Sequence, residues 1–184
     1  LNTTAGDTAC IGCNGHPFVR QTFLSADLET LMPRLRIAVA TRCFEQSLKP
    51  SLQTAHEIGA EGVQLDARDE LKPGELSQTG RRELLHRLDE LGLSVASLSY
   101  PAQRAFYDME QLDARIAIVK ETMQLAFQLK SAVVTARIGR IPDAAAPEYE
   151  LLVAVLNDLA RFGNQVGATF AFTSAGSPSS LSVG

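Results

Sequence analysis

The sequence predicts an α/β fold that is an incomplete (β/α)8 barrel, with about five β/α units, parallel strands and helices outside. Five short apolar runs alternate strictly with longer amphipathic segments, and no tight hairpin turn joins any two of them. Connections of this length join parallel strands through right-handed crossovers. An open doubly wound sheet has the same alternation and is the alternative.

The alternation is clearest in residues 57–66, where a helix, a glycine, a strand and a carboxylate follow one another. Gly59 has no Cβ and suits the left-handed conformation that ends a helix, and the next strand reaches Asp66. The predicted strands cover residues 36–42, 62–66, 93–100, 132–138 and 168–173. The predicted helices cover about 48–58, 77–90 and 109–129, and a fourth begins at Pro147, with core-facing apolar stripes that include Ile58, Phe127 and Val153.

The two faces of the predicted strands differ, and this difference favours the barrel. The small or polar face consists of Ala38, Ala40, Arg42, Gln64, Asp66, Ser97, Ser99, Thr135, Arg137, Ala171 and Thr173. The bulky face consists of Ile37, Val39, Val63, Leu65, Val134, Phe170 and Phe172. A doubly wound sheet is covered by helices on both faces and is apolar on both. Helices on one side only, around a polar inner face, fit a barrel better.

The composition excludes some classes of function. A net charge of −4 over 184 residues gives no basic footprint for nucleic acid. No apolar run approaches the roughly 20 residues that a membrane span needs. The three cysteines form no disulfide framework, so we expect a cytoplasmic protein.

Residues 1–31 show neither helical nor strand period, and we expect them to be a disordered or non-native leader before a domain of residues 32–184. Cys10, Cys13 and His16 lie in this leader and offer one ligand too few for a closed zinc site. His56 and His86 fall inside predicted helices, where we expect them to be solvated.

Four segments of the chain resemble the xylose isomerase-like TIM barrel superfamily, which includes sugar phosphate isomerases and epimerases. They are residues 37–41, 59–66, 91–99 and 134–139, of which Gly-Ala-Glu-Gly-Val-Gln-Leu-Asp is the most recognisable. The resemblance covers about five of the eight units, so the chain corresponds to the N-terminal portion of such a barrel.

The resemblance implies a sugar or sugar phosphate as substrate and metal-assisted proton transfer between adjacent carbons. It implies a divalent metal (Mn, Mg or Zn), but its ligands are not found in this chain. A glutamate at the end of strand five would carry a proton in the family, and here Thr173 stands in its place. Threonine is a poor general base near neutral pH, which places the usual chemistry in doubt.

The candidate substrate-binding residues stand at the predicted strand ends: Arg42, Asp66, Ser99, Arg137 and Thr173. The two arginines suit the forked recognition of a phosphate or carboxylate, and the alternative is that they pair with rim carboxylates. Asp66 suits a substrate hydroxyl, and the alternative is that it caps the next segment.

Two other readings of the function remain open. One is a non-catalytic barrel relative that binds a polyol or anion through its arginines. The other is an inactive truncated fragment. Because a sheet that ends after strand five leaves open edges, we also expect homo-oligomers to form through them.

Overall fold

A computed structural model describes residues 36–174, in which strands and helices alternate along the chain. The strands are β1 (Ala38–Ala40), β2 (Gly62–Asp66), β3 (Ser94–Tyr100), β4 (Val133–Gly139) and β5 (Thr169–Ser174). The helices are α1 (Leu48–Glu57), α2 (Gln78–Glu90), α3 (Leu112–Gln128) and α4 (Pro147–Val166). The predicted leader, with Cys10, Cys13 and His16, lies outside the described residues.

The five strands form one parallel sheet in the order β1-β2-β3-β4-β5. A doubly wound sheet reverses its strand order at a switch point, and no reversal occurs among these strands. The monotonic order is that of a (β/α) barrel, which confirms the predicted fold class and the choice between the two alternatives.

Local signals set the ends of the helices. Ser77 precedes α2 and its hydroxyl oxygen accepts from the backbone N–H of Gly80 at 3.0 Å. Pro147 occupies the first position of α4, where its missing N–H costs nothing. Gly167 ends α4 with a φ of +75°. None of the helices in residues 36–174 is long and apolar enough to cross a membrane.

The core lies between the sheet and the helices. On the helix side of the sheet Val63, Leu65, Leu98, Val134 and Ile138 are fully buried. Facing helix residues that are also buried are Leu52, Leu84, Leu88, Val119, Met123 and Leu159. The bulky face of the strands therefore meets the helices, as predicted, and the polar face is left for a different use.

Five apolar residues assigned to the helix stripes or to the bulky strand face are exposed instead: Ile37, Ile58, Phe127, Val153 and Phe172. Ile37 precedes the first residue of β1. Ile58 follows the last residue of α1, and the buried stripe of α3 continues from Met123 to Ala126 rather than to Phe127. Val153 and Phe172 belong to α4 and β5, the last elements of the described chain, which no later element there covers. These assignments were wrong because the ideal helical period drifts and because outer elements have one neighbour only.

The first strand is shorter than predicted, and this moves one candidate residue. It ends at Ala40, and residues Thr41–Phe44 form a 3-10 turn. Thr41 is fully buried, and its hydroxyl lies 3.0 Å from the backbone oxygen of Gln64 and 2.6 Å from Glu70 Oε2. A threonine that bonds to neighbouring groups in this way draws the backbone out of the strand. Arg42 therefore projects from a turn and not from a strand end.

The loop between β3 and α3 is held by the buried Arg115. Its guanidinium donates to the backbone oxygens of Ala105, Asp108 and Glu110. The backbone N–H of Phe106 donates to the backbone oxygen of Ile138 on β4 at 3.0 Å. Because the loop is fixed to both α3 and β4, it forms a defined wall at the carboxyl edge of the sheet.

This loop also delays the start of α3, which was predicted near Met109 and begins at Leu112. The carboxylate of Asp108 accepts from the backbone N–H of Glu110, and Gln111 takes a left-handed φ of +54°. The Glu110 N–H and the side chain of Arg104 together lower the pKa of Asp108 below its usual value. A charged Asp108 thus completes a turn where the apolar pattern alone predicts helix.

Gly139 is expected to tolerate no side chain. Its φ is +92°, and a Cβ there would lie 2.6 Å from the Cβ of Ala105 in the β3–α3 loop. Gly139→Ala is expected to lower the free energy of unfolding by about 2 kcal/mol, measured by urea denaturation. Gly74→Ala is the control, since a Cβ at Gly74 meets no atom within 4 Å. Equal losses in the two variants would contradict this account of the loop.

Candidate functional site

A groove of about 420 Å³ opens at the carboxyl edge of the sheet. It lies where β2, β3, β4 and β5 end and where the 3-10 turn follows β1. Its lining residues are Arg42, Gln64, Ser99, Tyr100, Pro101, Ala102, Thr135, Ala136, Arg137 and Thr173. Four of the five predicted site residues, all except Asp66, therefore meet in one cavity.

The register of the sheet explains why these side chains converge. Ser99 on β3 pairs with Thr135 on β4, and Arg137 on β4 pairs with Thr173 on β5. Paired residues of parallel strands point to the same face, and so do residues two apart on one strand. The polar face identified in the sequence thus becomes a continuous surface across three strands.

A chain of hydrogen bonds forms the floor of the groove. The side-chain amide of Gln64 donates to the hydroxyl oxygens of Ser97 at 2.8 Å and of Thr135 at 3.3 Å. The hydroxyl of Thr135 lies 3.4 Å from the backbone oxygen of Leu98. Gln64 and Thr135 were placed on the inner face but not among the site residues. The signal that was available is their position, two residues before the strand-end residues Asp66 and Arg137.

Asp66 serves the loop that follows β2 rather than the groove. The side chain is 2% exposed, and its Oδ1 accepts from the backbone N–H groups of Arg68 at 2.8 Å and Asp69 at 3.1 Å. Its Oδ2 lies 3.4 Å from Nη1 of Arg42. The capping alternative therefore describes the contacts of Asp66, and its predicted contact with substrate stays a prediction.

The two arginines of the groove differ in their partners. Arg42 is half exposed and forms the ion pair with the buried Asp66. Arg137 is exposed and has no hydrogen-bond or ion-pair partner among residues 36–174. The pairing alternative thus holds for Arg42, while Arg137 keeps all its donors available in the described structure.

The donors of the groove do not suit a divalent metal. Mg²⁺ and Mn²⁺ take carboxylate oxygens, and Zn²⁺ takes imidazole, thiolate or carboxylate. None of the lining side chains carries such a group, and Thr173 stands at the end of β5. Residues 36–174 also contain no group of three or more His, Cys, Asp or Glu side chains arranged to hold an ion. The described residues therefore supply no ligand set for the metal that the resemblance implies.

The two histidines among the described residues, His56 and His86, lie away from the groove, on the outer helices. Nδ1 of His56 lies 2.8 Å from the backbone oxygen of Leu91, which joins the ends of α1 and α2. Nε2 of His86 lies 3.5 Å from a carboxylate oxygen of Glu90 one turn later on α2. Both are exposed, as predicted, and His56 in addition has this structural contact.

Comparison with known proteins identifies the class of fold. No protein family matches the sequence, and no curated protein matches it at a significant level. Solved structures do match, and they are xylose isomerase-like TIM barrel proteins and sugar isomerases and epimerases. The described chain therefore has the fold of these TIM barrels, in its first five β/α units.

Three solved structures illustrate the similarity. A xylose isomerase domain protein from Planctomyces limnophilus is 18% identical with a TM-score of 0.62, over 75% of this chain and 51% of that one. A xylose isomerase-like TIM barrel protein from Mycobacterium smegmatis, in complex with magnesium, is 16% identical with a TM-score of 0.59, over 76% and 55%. A D-psicose 3-epimerase in the presence of D-fructose is 14% identical with a TM-score of 0.58, over 74% and 51%. The chain spans about half the length of these proteins, and identities this low establish the fold alone.

Asp66 is expected to stabilise the fold mainly through the two backbone groups that it caps. Asp66→Ala leaves two N–H groups without a partner and should lower the free energy of unfolding by about 3 kcal/mol. Arg42→Met removes only a half-exposed ion pair and should cost about 1 kcal/mol or less. Urea denaturation of both variants measures the difference.

Asp66→Asn is the matched control for this prediction. It keeps an oxygen that can accept from the N–H groups of Arg68 and Asp69 while it removes the charge. Its stability should lie between those of the wild type and Asp66→Ala. A loss in Arg42→Met as large as that in Asp66→Ala would show that the ion pair, and not the cap, is the main contribution.

Proposed function

We propose that the groove is the substrate-binding surface of a protein of the sugar or sugar phosphate isomerase/epimerase type. The observation that carries the proposal is the convergence of polar strand-end residues in one cavity at the carboxyl edge of the sheet. Active sites of (β/α) barrels lie at this edge. The solved structures of the same fold add support, because several are sugar epimerases or isomerases.

The lining side chains suit a ligand that carries several hydroxyl groups. Ser99 and Thr173 each offer a hydroxyl that can both donate and accept, which matches the hydroxyls of a sugar. The hydroxyl of Thr135 is already bonded within the floor of the groove. Pro101 and Ala102 form an apolar wall, and the Arg115 network holds the loop that carries them. In the proposed function these residues bind the sugar, orient it and exclude water from one side.

Proton transfer between adjacent carbons needs a group that titrates near the pH of the reaction. No side chain in the lining is a carboxylate or an imidazole. In such a reaction the described residues would therefore bind and orient the substrate. A catalytic base of the usual kind would come from residues other than those of the groove.

A second candidate function is binding without catalysis, of a polyol or an anion. The observation in its favour is the same absence of a base from the groove, together with Thr173 at the end of β5. Incubation of the 184-residue chain with a ketose in D2O separates the two functions. Deuterium that enters the carbon next to the carbonyl supports the enzyme, and binding without exchange supports the second candidate.

Ser99→Ala should weaken sugar binding to the chain. Loss of one neutral hydrogen bond of about 1 kcal/mol corresponds to a Kd about fivefold higher, measured by calorimetry with D-fructose. Ser94→Ala is the matched control. It removes the same group from the opposite end of β3, where Ser94 donates to the backbone oxygen of Glu61. Equal effects in the two variants, or no binding of any sugar, would count against the proposed function.

Self-association through the sheet edges stays a prediction, as does a cytoplasmic location. Among the described residues β1 pairs only with β2, and β5 pairs only with β4. Ile37 beside β1 and Phe172 on β5 are exposed at these two edges. Analytical ultracentrifugation over a hundredfold range of concentration tests the prediction. Phe172→Lys should shift the chain towards monomer, whereas a monomer at every concentration would contradict edge pairing.

A further inference from the structure

The charged side chains that line the groove are all of one sign. Its lining contains two guanidinium groups, those of Arg42 and Arg137, and no carboxylate. The whole chain has the opposite excess, with a net charge of −4. The carboxylate of Asp66 is buried and lies 3.4 Å from Arg42, so it compensates part of the charge of that arginine. The groove is therefore a local positive site on an acidic protein.

Arg137 is placed to contact a ligand directly. It stands at the end of β4, its Cα paired in register with Thr173 of β5, and Thr135 lies two residues earlier on the same face. Its guanidinium has no partner among residues 36–174, so no internal ion pair has to break before it binds. Arg42 is held by Asp66 at 3.4 Å and adds a second, partly compensated charge.

We propose that the groove binds an anionic sugar derivative, with the phosphate or carboxylate group on Arg137, and that this binding needs no divalent metal. The proposal rests on the proposed function, because it assumes that the ligand is a sugar and adds that this sugar carries a negative charge. A guanidinium fork matches the oxygens of either anionic group in two parallel hydrogen bonds. The hydroxyls of Ser99 and Thr173 remain for the rest of the ligand.

The same charges disfavour a cation at this place. Two guanidinium groups repel a divalent ion. The neutral hydroxyl and amide oxygens of the lining bind such an ion too weakly to offset this repulsion. The positive charge that would attract an anionic ligand therefore comes from the protein. Binding should consequently survive a chelator and weaken as salt is raised, because exposed charges are screened.

Calorimetry of the 184-residue chain in EDTA tests the proposal. The probes are D-fructose, D-fructose 6-phosphate, D-gluconate and inorganic phosphate, which separate the neutral sugar, the two anionic groups and phosphate alone. We expect the better of the two anionic sugars to bind at least tenfold more tightly than D-fructose. Arg137→Met should abolish this preference, and Arg42→Met should reduce it less.

Arg140→Met is the matched control, because Arg140 is an exposed arginine three residues later that lines a different cavity. It should leave every Kd unchanged. Arg137→Met should keep the wild-type melting temperature, since the guanidinium has no partner in the described structure to lose. A change in affinity for this variant therefore reports on ligand binding and not on folding.

Different results would overturn the anion site and the proposed function. Equal binding of neutral and anionic sugars, unchanged in Arg137→Met, overturns the anion site and leaves the proposed function standing. Binding of inorganic phosphate alone, with no gain from the sugar, overturns the proposed function. Anionic sugar binding that appears only when Mn²⁺ or Mg²⁺ replaces EDTA overturns the independence from metal.

Discussion

The fixed direction of the strands is the constraint on which the rest of the structure depends. Every crossover returns the chain to the amino edge of the sheet, so all strands run in one direction and their carboxyl ends meet at the opposite edge. Residues that are far apart in sequence, such as Arg42 and Thr173, thereby line one groove. The helices cover the other face of the sheet, which explains why the apolar residues of each strand are found on that side and the polar ones at the site.

Burial then decides which of the polar residues stay available. Asp66 and Thr41 lie deepest, and each is occupied by bonds to the backbone of β2 or of the loop that follows it. Arg42 is shared between that buried carboxylate and the groove. Arg137 is exposed and has no partner among the described residues. The inner residues build the frame of the site, and the outer ones remain free for a ligand.

The sequence predicted the fold, and it predicted four of the residues that line the groove, because both follow from simple periodicities. Alternation along β4 placed Thr135 and Arg137 on one face, and the strict order of strands and helices predicted a common edge. The predicted extent of the first strand was wrong at Thr41. The hydrogen bonds of Thr41 reach Gln64 and Glu70, which are distant in sequence, and no local pattern reveals them. The sequence also left the depth of Asp66 open, since a strand-end carboxylate can face either a loop or a cavity.

The chemistry of this edge follows from what its side chains can and cannot do. Hydroxyl, amide and guanidinium groups hold a ligand at neutral pH, but none of them readily exchanges a proton there. In the proposed function, a groove built from these groups alone would select and orient its ligand, and its positive charge would favour anions. The described residues would thus separate recognition from proton transfer. The threonine at the end of β5 is the residue where that separation is most evident, because a glutamate there would have joined the two roles.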